Sequence, residues 1–258
     1  MKNSKNFEKL VSIVKQLRSE DGCPWDKKQT RNSLMPYFLE EVYEVVDSID
    51  NNDLTTLPEE LGDVLFHIIL QTEVAEETDE FNLDQVLNMI NEKLIRRHPH
   101  VFGNGNAKTL SQIKQNWETI KEKEKIRESR LDGVPIALPS LLKAQRVQQK
   151  ASYVGFDWNN KEEVWEKVFE EIQELREAES QDNKDLVEEE MGDLFFTLVN
   201  LCRFLDISSE DSLRKSINKF TMRFKYLEKV IKQQNKKLDD VDFSELNEIW
   251  EQGKKILK

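Results

Sequence analysis

Cysteine, glycine and proline are scarce in this chain of 258 residues, which has two Cys, eight Gly and six Pro. Two cysteines cannot build a disulfide framework and are typical of a reducing compartment, so we expect a cytoplasmic protein. With few helix breakers, the chain is crowded with Glu, Lys, Leu and Gln, which lose little side-chain freedom in a helix. The composition therefore predicts an all-α protein.

Positive charge and long apolar runs are also lacking. The chain has 38 Lys and Arg residues against 50 Asp and Glu residues, a formal charge of −12. Proteins that bind nucleic acid rely on Lys and Arg to displace counterions, so we expect no nucleic-acid partner. The apolar run from Val64 to Leu70 is far shorter than the roughly 20 residues that span a bilayer, so we expect no membrane contact. Carboxylates and phosphates repel each other, so a phosphate-binding site in this chain requires divalent cations between the carboxylates and the phosphates.

What the chain does contain is an internal repeat. The segment Glu59–Asp63 (EELGD) recurs as Glu189–Asp193 (EEMGD), 130 residues later. Apolar residues around both segments are spaced by three and four, as on one face of a helix. The sequence therefore predicts tandem duplicated helical domains, an N-terminal one at 1–132 and a C-terminal one at 133–258. Two more acids keep the same offset: Glu41 and Glu44 match Glu171 and Glu174.

These acids form a candidate metal site in each half. A step of three residues keeps two side chains on one side of a helix, so two carboxylates on one helix would face two on the next. Oxygen ligands alone favour Mg²⁺, with Mn²⁺ as a substitute. We expect the glycine between Glu190 and Asp193 to be buried and to let the helices approach closely. The predicted ligands are Glu171, Glu174, Glu190 and Asp193, with a secondary N-terminal set of Glu41, Glu44, Glu60 and Asp63.

Two other interpretations stay open. A carboxylate-bridged di-iron protein would normally carry histidine in a Glu-x-x-His step, which neither half has. His67 lies one turn after Asp63, but Thr197 stands at the matching position, so we interpret His67 as structural or peripheral. A catalytically silent helical interaction module is the second alternative, because paired acids at helical spacing are often only a solvated face. The duplication of the acids favours a metal site.

The motifs resemble those of the MazG family of nucleoside triphosphate pyrophosphohydrolases. They are Glu-x-x-Glu, 15 residues, then Glu-x-x-Asp, preceded by GCPWD at 22–26 and followed by KLIRRHPHVF at 93–102, with VGFDW at 154–158. The likeness extends over nearly the whole chain and is to the two-domain members. It implies an all-α fold of four-helix-bundle type and an enzyme that hydrolyses NTPs and dNTPs to the monophosphate and pyrophosphate. Mg²⁺ held by the carboxylates would be its cofactor, and broad tolerance of the base is expected.

The resemblance also implies roles for single residues. The four C-terminal carboxylates would be catalytic as Mg²⁺ ligands, basic side chains would bind the triphosphate and an aromatic ring would stack on the base. The nucleotide-binding residues are then Lys167, Glu170, Glu189, Lys219, Arg223 and Trp250. Either Glu170 or Glu189 is a candidate general base, and the sequence does not decide between them.

The two halves differ at one informative position, where Tyr37 replaces Lys167. The N-terminal half has therefore lost a cation for phosphate, and we expect the C-terminal half to be the main catalytic site. The N-terminal half retains Lys93, Arg96, Arg97, Trp117 and Lys121. Because paired helical hairpins with exposed apolar edges usually complete a bundle with another copy, we also expect a homodimer.

Overall fold

The computed structural model describes residues 2–105, 109–124 and 128–257. Within these ranges the chain forms α-helices, a short 3₁₀ helix at Leu238–Asp240 and turns, and it forms no strand. The predicted all-α class is confirmed. In chain order the helices are α1 Lys2–Arg18, α2 Pro24–Lys28, α3 Arg31–Asp50, α4 Leu57–Glu77, α5 Leu83–Arg97, α6 Pro99–Phe102, α7 Leu110–Lys123, α8 Ser140–Ser152, α9 Lys161–Ser180, α10 Lys184–Phe204, α11 Ser209–Gln233 and α12 Phe243–Ile256.

The chain divides into two compact units, 1–121 and 122–258. The sequence placed the division later, between 132 and 133. Each unit contains one copy of the repeat as a long helical hairpin: α3 with α4 in the first and α9 with α10 in the second. In the first unit α1 and α5 pack against α4, and in the second α8 and α11 pack beside α10. The tandem helical architecture agrees with the predicted fold.

Polar caps fix where the repeat helices begin. Thr30 accepts a hydrogen bond from the backbone N–H of Ser33, whose side chain in turn accepts one from the Thr30 N–H, in a reciprocal capping box before α3. Asn160 and Asn183 cap α9 and α10 through their side-chain oxygens. Each cap satisfies N–H groups that have no partner inside the helix, a contribution of about 1 kcal/mol. Both helices of the second hairpin, which contain the predicted C-terminal ligands, therefore have well-defined starts.

The loops of the two hairpins turn in the same way. Asn52 lies between α3 and α4 with a φ of 53°, and Asp182 lies between α9 and α10 with a φ of 51°. Asn and Asp tolerate this left-handed conformation better than other non-glycine residues. The two residues are separated by the same offset as the repeated acids. The backbone therefore repeats along with the sequence.

The core of the first unit lies where α1, α3 and α4 meet. Its buried residues come from all three helices, and partly buried side chains such as Phe7 and Phe66 close around them. Leu34 and Leu70 are fully buried. Burying such a side chain contributes roughly 1.5–3 kcal/mol, so this cluster holds the α3–α4 hairpin in place. The buried members are Val14, Leu34, Ile69, Leu70 and Val74.

The second unit has two apolar clusters. Val164 and Val168 of α9 pack with Leu201 of α10 beneath the predicted metal site, and Leu194 and Phe204 pack against them. A separate cluster joins α11 to α12 and the 3₁₀ helix. Its buried members are Leu227, Ile231, Val241 and Ile249. The helices that contain the repeated acids therefore rest on a core of their own.

Two short helices, α2 and α6, have no helical spacing in the sequence that would predict them. Both begin with proline, whose fixed φ suits the first helical position and whose missing N–H needs no partner there. Gly22 ends the preceding segment, and a Cβ at this position would lie 2.2 Å from the Leu17 carbonyl oxygen, so only glycine fits. Helical spacing in the sequence predicts a helix at 110–128, whereas α7 ends at Lys123, before residues that lie outside the described ranges. Among the described residues, no helix combines the length and apolar character needed to cross a membrane.

Candidate metal and nucleotide site

The C-terminal hairpin brings three carboxylates together. Glu171 and Glu174 of α9 and Glu190 of α10 each offer an oxygen, and these oxygens all lie within 4.8 Å of one another. Glu171 is buried, with 4% of its surface exposed. The fourth predicted ligand, Asp193, is exposed one turn further along α10 and falls outside this group. Three of the four predicted ligands are therefore close enough to share one cation.

Local helix geometry explains this cluster. The step from Glu171 to Glu174 places both side chains on one side of α9, and the α9–α10 packing brings Glu190 up to them. The apolar cluster that Val164 and Val168 form with Leu201 holds the two helices together. The acids thus stand at the edge of a packed interface, as the sequence predicted.

The charges at this site disfavour a cluster without a counterion. Burial raises the pKa of Glu190, and the nearby Glu174, Glu171 and Asp193 raise it further. Lys167 neutralises part of this negative charge, because its ammonium lies 2.8 Å from Glu170 Oε1 and 2.9 Å from Glu171 Oε1. Hydrogen bonds to Glu170 and then Glu171 raise the pKa of Lys167, so this side chain stays charged. A divalent cation would relieve the remaining repulsion.

The glycine inside this motif does not have the predicted role. We expected Gly192 to be buried and to allow close helix approach, and this was wrong. Gly192 is exposed, and a Cβ built on it would meet nothing within 4 Å. Gly62 in the first unit behaves identically. The α9–α10 interface lies on the side of Val168 and Leu201 instead, which leaves the glycine facing open space.

The N-terminal hairpin forms a similar cluster with a different membership. Glu41, Glu60 and Asp63 each offer an oxygen within 4.8 Å of the others, and Glu44 falls outside the group. Burial raises the pKa of Glu41, followed by repulsion from Asp63 and Glu44, and burial also raises the pKa of Glu60. The secondary site predicted from the repeat is therefore geometrically able to hold a cation.

His67 lies beside that N-terminal cluster. It is 5% exposed, and its Nε2 lies 3.9 Å from Glu41 Oε1, too far for a hydrogen bond. The ring packs between Phe38 and Phe66, and its Nδ1 is buried without a hydrogen-bond partner. Burial lowers the pKa of His67, with Asp63 opposing. Its packing as a neutral ring agrees with the structural interpretation.

The remaining N-terminal candidates lie on α3, α5 and α7. Tyr37, which stands in place of Lys167, meets the ring of Trp25 edge-on at 5.7 Å. The Arg97 guanidinium lies 5.6 Å from the Trp117 ring centre, and His98 contacts the same indole at 4.9 Å. Lys93 and Arg96 are exposed on α5, and Lys121 is half-buried on α7.

A large cavity adjoins the C-terminal carboxylates. It has a volume of about 630 Å³ and is lined mainly by apolar atoms. Lys167, Glu171 and Asp193 line it together with residues of α8, of the loop after α8 and of the C-terminal half of α10. Gln148 of α8 donates through Nε2 to the Phe196 carbonyl oxygen at 2.8 Å, and its own Oε1 is buried without a partner. A cavity of this size, with charged and apolar residues in its lining, can take a small polar ligand with an apolar part.

The other predicted nucleotide-binding residues lie away from this cavity. None of its lining residues comes from α11 or α12, which contain Lys219, Arg223 and Trp250. Lys219 is exposed, and Arg223 donates to the Leu257 carbonyl oxygen at 3.4 Å. Trp250 packs against Phe220, with ring centres 5.0 Å apart. Glu170 and Glu189 are both exposed beside the carboxylate cluster on α9 and α10.

The sequence did not single out the cavity walls as functional. Trp158, Asn200 and Arg203 all line the cavity, and Asp157 bonds to Arg203 across 46 positions of the chain. No short-range spacing marks such a contact. The only sequence signal was the motif VGFDW at 154–158, which is part of the resemblance. Both cysteines, Cys23 and Cys202, are free, as expected from their number.

Comparison with known proteins agrees with the repeat and its motifs. A family model described as the MazG nucleotide pyrophosphohydrolase domain matches residues 29–102 and 159–239, one match in each hairpin region. A crystal structure of a MazG-related protein from Thermotoga maritima aligns with 30% identity and a TM-score of 0.39. That alignment covers 44% of this chain and 97% of the solved chain.

Similarity to curated proteins extends over nearly the whole chain. The nucleoside triphosphate pyrophosphohydrolase/pyrophosphatase MazG of Thermotoga maritima is 46% identical over 250 residues, which cover 96% of this chain and 95% of that protein. The nucleoside triphosphate pyrophosphohydrolase of Escherichia coli K12 is 41% identical over 255 residues, with 96% and 97% covered. Since both the family model and full-length relatives match, the chain belongs to the MazG nucleotide pyrophosphohydrolase family.

Proposed function

We propose that this protein hydrolyses nucleoside and deoxynucleoside triphosphates to the monophosphate and pyrophosphate, with Mg²⁺ held by the C-terminal carboxylates. The observation that carries the proposal is the meeting of Glu171, Glu174 and Glu190 beside Lys167, next to a cavity that Lys167 and Glu171 line. The acids would hold a cation, the lysine would contact a phosphate, and the cavity leaves room for a substrate. Family membership and the names of the full-length relatives support the same chemistry.

The residues present suit a hard divalent cation. In the metal-ligand groups found among the described residues, every member is a carboxylate, and such oxygens prefer Mg²⁺ or Mn²⁺ to softer metals. Burial and then the neighbouring carboxylates raise the pKa of Glu190, and a cation would relieve the repulsion between these carboxylates. This oxygen-only set also weighs against the di-iron alternative. When bound, Mg²⁺ would neutralise phosphate oxygens and act as a Lewis acid.

The chain's own side chains would complete the reaction. Lys167 now bonds to Glu170 and Glu171, and a cation that occupied Glu171 would free its ammonium for a phosphate oxygen. Either Glu170 or Glu189 would act as the general base and accept a proton from the attacking water. Asp193, which lines the cavity, would serve as a fourth metal ligand. Lys219, Arg223 and Trp250 keep their predicted nucleotide roles, which rest on the resemblance.

The C-terminal half is the proposed main catalytic site. Its lysine is in place at the acid cluster, whereas Tyr37 in the first unit contacts Trp25 and offers no charge to a phosphate. The N-terminal cluster of Glu41, Glu60 and Asp63 could still hold a cation, with Glu44 as the fourth predicted ligand. We propose that this half has weaker activity or a structural function.

A homodimer is part of the proposal. The second unit leaves large apolar side chains exposed on its hairpin: Phe169 is 64% exposed, Phe195 54% and Ile172 37%. Such a surface is usually covered in a working protein, and a second copy offers the same apolar surface. A cytoplasmic location also stays part of the proposal, because so few cysteines are typical of a reducing compartment.

Product analysis tests the reaction and its location together. The full-length protein would be incubated with Mg²⁺ and each common NTP and dNTP, and the products separated by ion-exchange chromatography. We expect monophosphate and pyrophosphate, with turnover lost in Glu174→Ala and largely kept in Glu44→Ala. These two variants remove matching residues of the repeat, so each is the control for the other.

Other products would contradict parts of the proposal. Diphosphate with orthophosphate would show that the bond broken was assigned wrongly, and no turnover would favour the interaction module. Equal losses in both variants would mean that both halves are needed. For the dimer, light scattering should give twice the chain mass, and Phe169→Glu should reduce it while Phe243→Glu, at an exposed position on α12, should not. A monomeric wild-type protein would refute the dimer.

A further inference from the structure

His67 is a buried polar side chain whose ring makes no hydrogen bond among the described residues. It is 5% exposed, its Nδ1 is buried without a partner, and its Nε2 is 3.9 Å from the carboxylate beside it. Buried polar side chains usually have a hydrogen-bond partner, so a ring with both nitrogens unpaired requires a physical reason. The matching residue of the second unit is Thr197, and this ring therefore belongs to the N-terminal half alone.

Two aromatic side chains hold His67 in one orientation. The rings of Phe38 and Phe66 have their centres 6.1 and 5.5 Å from the imidazole centre. Phe38 lies three residues before Glu41, so both side chains are on one side of α3. The packing that gives the ring its structural role thus also determines where its nitrogens lie, and Nε2 is the nitrogen that faces Glu41.

The distance between His67 and Glu41 suits two ligands of one cation. Bonds from a divalent transition metal to an imidazole nitrogen or a carboxylate oxygen are about 2.0–2.2 Å long, so two such atoms can lie up to about 4.2 Å apart. The 3.9 Å between Nε2 and Glu41 Oε1 is within this limit. Asp63 precedes His67 by four residues, the step by which one side of a helix presents a pair of metal ligands.

The N-terminal cluster also lacks the lysine of its C-terminal counterpart. Lys167 pairs with Glu171 in the second unit, whereas Tyr37 stands at the matching position of the first. Among the ion pairs of the described residues, no Lys or Arg contacts the carboxylates of the N-terminal cluster. A cation that binds there therefore relieves the repulsion between the carboxylates without displacing an ammonium.

From these contacts we infer that His67 joins Glu41 and Asp63 as a ligand of the N-terminal cation, and that this site selects a transition ion such as Co²⁺ or Zn²⁺ over Mg²⁺. Imidazole favours such ions, whereas Mg²⁺ prefers oxygen ligands. The ring packs in its neutral form, which is the form that binds metals. The C-terminal cluster offers oxygen alone, so the two halves of the repeat hold different metals. The inference goes beyond the proposed reaction and requires no turnover in the N-terminal half.

Titration calorimetry on the full-length protein tests the selectivity. Glu174→Ala serves as the background, because it removes a ligand of the C-terminal site. Adding His67→Gln should weaken the binding of Zn²⁺ by at least the roughly 10- to 100-fold that loss of an outer partner of a metal ligand costs, and should leave the binding of Mg²⁺ unchanged. His98→Gln is the matched control, since His98 lies outside the N-terminal cluster, and it should change neither affinity.

Pulsed electron paramagnetic resonance detects the ligand directly. Bound Mn²⁺ shows a coupling to nitrogen when an imidazole binds it and none when carboxylates and water alone do. We expect this coupling in the Glu174→Ala protein loaded with one equivalent of Mn²⁺. It should disappear when His67→Gln is added and persist when His98→Gln is added. The first of these spectra comes from a protein that retains His67, so it is decisive even where His67→Gln does not fold.

Three results would overturn the inference. No nitrogen coupling in the protein that retains His67 would show that the ring is not a ligand. Equal losses of Zn²⁺ and Mg²⁺ affinity in His67→Gln would show that the ring supports the cluster without selecting its metal. Coupling lost with His98→Gln would assign the nitrogen to another histidine. Because metal binding is measured without nucleotide, a wild-type protein that hydrolyses no triphosphate would refute the proposed reaction alone.

Discussion

Replacing Lys167 with methionine should lower the free energy of unfolding of the metal-free protein. The same substitution should raise the protein's affinity for Mg²⁺. The ammonium lies 2.9 Å from Glu171, whose side chain is only 5% exposed, so its loss leaves a buried carboxylate without its cation. A hydrogen bond to a charged group contributes about 1.5–3 kcal/mol. The second partner, Glu170, is 55% exposed and adds less than about 1 kcal/mol. We therefore expect the free energy of unfolding of the second unit to fall by about 2 kcal/mol.

Mg²⁺ should largely remove that loss, because the cation takes over as the partner of Glu171. Linkage then requires the affinity of the Lys167→Met variant for Mg²⁺ to rise by the same free energy, which is up to about 30-fold for 2 kcal/mol. The variant should nonetheless have a higher KM for nucleotides, because it has lost a phosphate contact. Metal affinity and nucleotide affinity thus move in opposite directions.

Thermal unfolding followed by circular dichroism, with EDTA or saturating Mg²⁺, measures the first effect. For a unit of this size a 2 kcal/mol loss lowers Tm by about 6–10 °C. Isothermal titration with Mg²⁺ measures the second. Lys161→Met is the matched control, since Lys161 lies on the same helix and, among the described residues, its ion pair is with the exposed Glu162. An equal Tm loss in EDTA and in Mg²⁺, or an unchanged Mg²⁺ affinity, would refute the reasoning.

Three further variants test the same region. The pKa of Glu190 is raised in the folded state, so its favourable contribution is present at acidic pH and is lost as pH rises through that pKa. Metal-free Glu190→Gln should therefore unfold at a higher temperature than wild type at pH 7.5, and this advantage should vanish near pH 4 and in Mg²⁺. Asp157→Asn should weaken the clamp with Arg203 and make the loop at 153–160 more sensitive to limited proteolysis, without changing secondary structure by circular dichroism. Asn160→Ala should lower the free energy of unfolding by about 1 kcal/mol in urea titrations, because it removes the cap of α9, and a change below 0.3 kcal/mol would contradict the cap.

The repeat made most of the fold predictable. Helical spacing predicts helices at 57–77, 83–97 and 243–256, and these are the bounds of α4, α5 and α12. Thr-Leu-Pro, Asn-Leu-Asp and Asp-Phe-Ser mark their starts with a capping residue or a proline. The two proline-initiated short helices were missed, because four or five residues are too few to show a helical period. The short 3₁₀ helix escaped for the same reason.

The clustering of the acids could be predicted from the sequence, whereas the cavity beside them could not. Spacing along one helix determines that Glu171 and Glu174 share a side, and the repeat identifies Glu190 as their partner on the next helix. The cavity depends instead on contacts between distant parts of the chain, such as Asp157 with Arg203 and Gln148 with Phe196. No local pattern encodes these contacts. The prediction that Gly192 is buried was wrong for a related reason, because the sequence did not show which side of α10 faces α9.

The open space beside Gly62 and Gly192 makes these two positions useful to a protein engineer. Glycine inside a helix lowers stability by roughly 0.5–1 kcal/mol relative to alanine, and a methyl group at either position would meet nothing within 4 Å. Each unit thus contains a ready site for a thermostabilising substitution. Gly62 is the one to change first, because it lies in the half that is not the proposed main catalytic centre. Gly192 stands between two proposed ligands, and an added methyl there would narrow the approach of a substrate.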